Sequence, residues 1–389
     1  MNPVPSLWQR IRSHLPIDGF YFDRPLVLFQ SDDWGRVGVR DKEGLEQLRA
    51  AGIVLGERPY DFYSLETSDD LDAVATTLKR HRDSSGRHPV MGMNFIVANL
   101  NSVGAITNSD ARLKFLPLAE GLPEGWRRPN LLESYRSGIA DGVFRPALHG
   151  TSHFCTPAVE RNRASGGERA QLLDKLWRAG TPYIHWRMPW VGYEYWDPEH
   201  PNDKRFLSAE MQREMVGYSV GGFAKLFSAL PRSACAPGYR ANDDTHRAWA
   251  QHGVRVAQNG PEAVLPPLFD RHQLLHLSRT VEFEPAVDAA FSVEQCLEKA
   301  ERCFSRGIPV IVSVHAINFH STLRDFRTAT LQGLDQFLTA LETKHSDLLY
   351  LCDEDLYDLV KRGSYRAFGG EVTVTVTRKK LSRAHTRQL

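Results

Sequence analysis

The chain has little cysteine, no long apolar run and almost no net charge, and each shortage removes a class of protein. Five cysteines in 389 residues stand at positions 155, 235, 296, 303 and 352. The number is odd and no two form a CxxC pair. That argues against a disulfide framework and against a thiolate zinc site, and it suits a reducing compartment. No stretch approaches the roughly 20 apolar residues of a membrane span. The opening segment MNPVPSLWQRIRSHLP lacks the apolar core of a signal peptide. The expectation is a cytoplasmic protein without an integral membrane segment. With 48 basic and 47 acidic side chains, the net charge of +1 leaves no broad basic field for nucleic acid. The local basic stretch RKKLSRAHTR at 378–387 reads as a solvated tail.

What is present is ordinary globular material, 42% hydrophobic, which is enough for a large core. Short apolar or β-branched runs begin at PLVLFQS (25–31) and continue through PVMGMNFIVA (89–98), FRPALHG (144–150), SACAPGYR (233–240) and VRVAQNG (254–260). They end with LLHLSRTVEF (274–283), PVIVSVHA (309–316) and DLLYLC (347–352). Between them, segments such as DKEGLEQLRAAG (41–52), SVEQCLEKAERCFSRG (292–307) and LQGLDQFLTALETK (331–344) carry apolar residues at helical spacing. Strands alternating with helices imply a parallel sheet with right-handed crossovers. Seven or eight such units predict an α/β fold closed, or nearly closed, into a barrel. A doubly wound open sheet is the alternative, although no GxGxxG follows the first strand. The predicted organisation is an extension over 1–21, a barrel over 22–360 and a basic tail over 361–389. A long insertion at about 154–205 interrupts the barrel with the aromatic, proline-rich run TPYIHWRMPWVGYEYWDPEHP (181–201). Its flat rings could stack on sugar, anchor the loop to the barrel or form a dimer contact.

In a parallel barrel the chemistry lies at the C-terminal ends of the strands. The first strand there ends in FQSDDWG, which sets Asp32 beside Asp33. Two adjacent carboxylates are unfavourable unless a cation or proton relieves them. The third strand ends in HGTSH, placing His149 and His153 four apart, a spacing that on a helical turn lets two imidazoles share one ion. A carboxylate completes the donor set of hydrolytic zinc enzymes. One aspartate can then bind the ion while the other acts as a base. The fourth strand runs into PGYR (237–240) and the seventh ends in His315, with Asn318 and His320 beyond. Alone, each motif has a plain explanation: an Asp-Asp turn, a chance histidine pair among fifteen, a core imidazole. Their coincidence at barrel-strand ends is what points to a metal hydrolase. His185, His246, His252 and His320 read as ordinary structural residues, and Asp243-Asp244 as a helix cap.

The motifs resemble those of the polysaccharide deacetylase superfamily, carbohydrate esterase family four, as a divergent member over roughly residues 22–360. QSDDWG stands for the family's TFDDG, which implies Asp32 as catalytic base and Asp33 as metal ligand. HGTSH stands for H-S/T-x-x-H, implying His149 and His153 as the other ligands, with Gly150 a departure. ACAPGYRANDDTHRAWAQHGV (234–254) sits where the family has RPPYG. The family arginine, which steadies the base, falls on Ala236, so that Arg240 or Arg279 would substitute. Tyr239 takes the tyrosine position, whose backbone N–H helps to bind an oxyanion. VIVSVHA implies His315 as general acid, with Asn259 the guess for its orienting partner. The resemblance implies a distorted (β/α)7-8 barrel and a divalent cofactor, Zn2+ by preference. It implies deacetylation of an N-acetylated sugar or glycan intermediate. The other readings are amide hydrolysis of a small non-sugar substrate and an inactive glycan-binding barrel. The partner expected is therefore a carbohydrate or a small amide.

Overall fold

The computed structural model describes residues 18–102, 112–261, 264–367 and 369–381. Residues 1–17 of the expected extension and 382–389 of the expected tail lie outside the described residues.

Seven parallel strands follow one another around a ring in chain order. They are Leu26–Trp34, Met91–Ile96, Phe144–Gly150, Ser233–Cys235, Val256–Asn259, the broken strand Leu275–Ser278 with Val281–Glu282, and Val310–His315. Each pairs in parallel with its successor. The last returns to the first, in a register that sets Val310 opposite Val27 and His315 opposite Asp32. Closure happens within the sixth strand. Its first half, Leu275–Ser278, pairs with the fifth strand, and its second half, Val281–Glu282, pairs with the seventh. At the crossing the Arg279 N–H donates to Asn259 and the Thr280 N–H donates to Ile311. A short strand, Leu349–Tyr350, adds to the start of the first. The architecture is the expected distorted (β/α)7-8 barrel. Among the described residues the order shows no reversal of the kind that defines a doubly wound sheet.

Apolar faces at helical spacing pack the outer layer onto this ring. Helices Lys42–Ala50, Val293–Phe304 and Arg327–Lys344 form where the periodicity places them, and Ala209–Phe227 and Asp243–Gln251 join them. Asp243 and Asp244 lie in the first turn of their helix rather than at its cap. Asn242 is the cap and accepts from the N–H groups of Asp244 and Thr245.

The lumen is polar. Gln30 and Gln258 donate to Asp353, which enters from the last helix, and Asn94 donates to Gln258 at 2.7 Å. Arg279 lies above them and is fully buried. Each of these side chains makes hydrogen bonds, as burial demands, although Asn94 Oδ1 is left without a partner, and together they form a floor under the strand ends.

The insertion is folded. Helices Thr156–Ala164 and Gly167–Arg178 and two 3-10 turns pack against the Lys42–Ala50 helix. The core they share includes Leu48, Leu173, Trp177, Met188 and Val191, and full burial of each such side chain contributes about 1.5–3 kcal/mol. Trp190 is buried with it, whereas Tyr195 is buried in the main barrel core. Part of the stretch expected as a solvated tail is also ordered. Val376–Lys380 runs antiparallel to Asp18–Phe22, with Lys380 opposite Asp18.

Candidate active site

Asp32 and Asp33 both reach the same space because the strand is irregular where they stand. Neighbours on a regular strand point to opposite faces. Here the pairing register shifts between Ser31 and Trp34, and Asp33 takes a positive φ of 77°. Such a bulge re-aims one side chain. The Tyr63 hydroxyl holds the turn by donating to the Asp33 carbonyl at 2.7 Å.

Asp33 faces the two histidines. Its Oδ1 lies 3.7 Å from His149 Nε2 and 3.3 Å from His153 Nε2. His149 leaves the third strand at its end. Its Nδ1–H is committed to the Cys235 carbonyl at 2.9 Å, which leaves Nε2 as the ring atom turned to the site. His153 sits on an irregular bend after the strand, not on a helical turn. Gly150, at φ 103°, makes that bend possible: a Cβ there would lie 1.8 Å from Oε2 of Glu194. The Glu194 Oε1 accepts from the Thr151 N–H at 2.8 Å, so the insertion braces the loop between the two histidines. Burial raises the Glu194 carboxyl to about 8 against these hydrogen bonds.

The donor set fits a divalent cation. Asp33 Oδ1 and His149 Nε2 are buried and have no hydrogen-bond partner. Burial and the nearby Arg36 hold the His153 ring neutral, well below the usual imidazole range. Burial pushes the Asp33 carboxyl up, but Arg36 and the histidines outweigh it and keep it ionised. Tetrahedral ligands at ~2.0–2.1 Å from an ion stand about 3.3 Å apart. The His153 separation of 3.3 Å matches that value and the His149 separation of 3.7 Å exceeds it slightly.

Asp32 has a different environment. Arg279 grips it with two hydrogen bonds, Nη2 to Oδ1 at 2.6 Å and Nη1 to Oδ2 at 2.7 Å. Asn94 donates to Oδ1 at 2.7 Å. Burial alone would raise this carboxyl, and Arg279 with His149 and His315 holds it far below the usual range. Arg279 is thus the arginine that stands by Asp32. Arg240, also expected in the site, lies over the Trp196 ring instead, 5.1 Å from its centroid. Tyr239 contributes its phenol rather than its amide. The N–H that was expected to bind an oxyanion donates to the Ala236 carbonyl at 2.8 Å. The hydroxyl accepts from Arg279 at 2.7 Å and sits 3.2 Å from Asp32 Oδ2.

His315 closes the far side, with Nε2 3.8 Å from Asp32 Oδ2. Its orienting partner is Glu284, whose Oε1 lies 2.7 Å from Nδ1. Asn259, the guess from sequence, instead approaches His276 Nδ1 at 3.3 Å. Burial opposes a charge on His315, but Glu284 and the two aspartates outweigh it and raise the imidazole to about 9.

Asp32, Asp33, His149, His153, Tyr239 and His315 line one cavity of about 390 Å³, within the range of small-molecule sites. The insertion supplies Tyr183, Ile184, His185, Trp186 and Tyr193 to its wall. Burial drives His185 down to about 4, so this residue, read from sequence as plainly structural, is a neutral wall of the site. His320 is buried elsewhere, 3.5 Å from Glu66. Sequence reasoning missed Arg36, Asn94, Glu194 and Glu284. Only Arg36 carried a local signal, three residues beyond Asp33.

No family model matches the chain and no curated protein matches it in sequence. Solved structures are similar in part. A protein from Pseudomonas aeruginosa described as a probable polysaccharide deacetylase is 12% identical, with 87% of this chain and 92% of that one covered and a TM-score of 0.44. A family 4 carbohydrate esterase from Streptomyces lividans, in complex with acetate, is 11% identical over 83% and 90%, with a TM-score of 0.35. A pseudoenzyme of the same esterase family from Bacillus anthracis is 10% identical over 84% and 63%, with a TM-score of 0.37. Identities of this size carry no residue roles across to this chain.

Proposed function

We propose that the protein is a metal-dependent hydrolase that removes an acyl group, acetyl first among candidates, from the nitrogen of a small amide such as an N-acetylated sugar. The observation that carries this reading is the convergence of Asp33, His149 and His153, with Asp33 Oδ1 and His149 Nε2 unpartnered, between an arginine-bound carboxylate and a glutamate-bound imidazole. A divalent ion held by those three side chains, zinc by preference, would polarise an acyl carbonyl and acidify a water. That is what a base as weak as Asp32 requires.

The rest of the chemistry belongs to the chain. Asp32, held in one orientation by Arg279, Asn94 and Tyr239, accepts a proton from the attacking water. His315, kept protonated by Glu284, gives its proton to the departing nitrogen. Such general-acid help is worth typically ~10²–10⁴-fold. The water oxygen adds to the acyl carbon, the C–N bond breaks, and the products are a carboxylate and an amine.

The enclosed wall supports a small substrate over a polymer. A glycan chain needs a groove open at both ends, whereas packed insertion residues close one side of this cavity. The same observation keeps a small non-sugar amide open as the substrate. Release of acetate by the zinc-loaded protein from N-acetyl monosaccharides, their oligomers and simple cyclic amides tests the reading. Turnover of monomers but not oligomers is expected. No turnover of any amide by protein that holds stoichiometric zinc would sink the hydrolase and leave a binding barrel.

A further inference from the structure

The chemistry just described leaves one charged side chain of the cavity without a part, Arg36. Its guanidinium lies 3.8 Å from the centroid of the Tyr63 ring and is 7% exposed. Nη1 donates to the Tyr183 hydroxyl at 2.6 Å, and Nη2 stands 3.2 Å from Asp33 Oδ2. Nε has no partner. A guanidinium carries five N–H donors in a fixed fork, and these contacts occupy only part of it. A ring beneath and a phenol at one end fix its plane, so little freedom is lost when a further acceptor arrives.

Charge balance points the same way independently. Asp32 is answered by Arg279, Glu284 by His315 and Asp33 by Arg36. Asp32, Asp33 and Glu284 are therefore each matched before any ion enters. A divalent ion would add positive charge in a partly enclosed space where bulk salt screens weakly. The remaining lining residues supply phenol, indole, aliphatic surface and the His185 imidazole, and no further carboxylate.

We propose that the ligand of this cavity carries a carboxylate or phosphate group, and that Arg36 is the residue that reads it. In calling that ligand a substrate the inference rests on the hydrolase reading, whereas the binding itself does not. Arginine suits the task because its planar fork matches either anion, which a lysine ammonium does not. In this role Arg36 sets specificity. In the alternative it only steadies Asp33.

Calorimetric titration of the zinc-loaded protein with two matched pairs separates these roles: glucose against glucose 6-phosphate, and glycerol against glycerol 3-phosphate. None has an amide, so binding is read apart from turnover and survives a failure of the hydrolase reading. Each phosphate is expected to bind at least tenfold tighter than its neutral partner. Arg36→Lys keeps a cation beside Asp33, and its zinc content should stay at one per chain while the preference falls at least fivefold. Arg36→Met should abolish the preference. Equal binding within both pairs, no binding by either phosphate, or a preference unchanged in Arg36→Lys and Arg36→Met would overturn the proposal.

Discussion

Oε1 of Glu284 lies 2.7 Å from Nδ1 of His315, joining a residue just past the sixth strand to the end of the seventh, 31 positions on. This pair sets the protonation of the imidazole, which stands at about 9. If His315 works as an acid, activity falls as pH rises through that value. Glu284→Gln keeps the shape and removes the charge. The alkaline limb of the kcat/KM profile should then move at least one pH unit lower, and an unmoved limb would remove Glu284 from this role. The sign for stability follows. A raised imidazole contributes stability fully present below about pH 6.5, the unperturbed value. That contribution is lost as pH rises through about 9. Denaturant midpoints measured from pH 6 to 10 should therefore fall more steeply for the native chain than for Glu284→Gln.

The Arg279–Asp32 pair predicts a large, asymmetric mutational effect. Arg279→Met leaves a buried carboxylate without its cation, a change that costs about 3–5 kcal/mol in comparable pairs. Arg279→Met with Asp32→Asn removes both charges and should recover much of that loss. Urea midpoints of the four chains give the coupling. Additive losses would mean that the contact contributes little.

Gly150 and Glu194 predict a metal effect from residues that bind no metal. A methyl group at position 150 would run into the Glu194 carboxyl and would also have to tolerate φ 103°. Gly150→Ala should displace the bend that carries His153. A loss of roughly 10–100-fold in zinc affinity is expected, the scale seen when the groups supporting metal ligands are removed. Glu194→Ala in the same chain makes room and should restore part of it, as read by competition with a chromophoric chelator.

Direct removal of the donors is the plainest check. Asp33→Ala and His149→Ala should each reduce bound zinc to a small fraction of one equivalent by elemental analysis, while His320→Ala should not. Chelation should lower the melting temperature of the native chain and leave that of Asp33→Ala unchanged. Retention of one zinc by both donor variants would show that the ion sits elsewhere.

The sequence by itself determined the barrel and most of its actors. Apolar runs alternating with helical patterns leave few ways to bury both faces of a sheet, so the strand ends, and with them Asp32, Asp33, His149, His153 and His315, could be placed on one rim. It could not decide partners, because those depend on register and on which atoms meet across the ring. Arg279 reaches Asp32 since the sixth strand changes neighbours at that residue. Nothing in the composition of LLHLSRTVEF marks such a crossing. Glu284, two residues past its strand, became the partner of His315 through the pairing of Glu282 with Ser313. Arg240 and the Tyr239 amide went the other way, since a tight turn uses the N–H internally and a tryptophan from the insertion lies against the guanidinium. Local chemistry is written in residue types and spacing. Long-range pairing is decided by backbone geometry, which no short window of the chain contains.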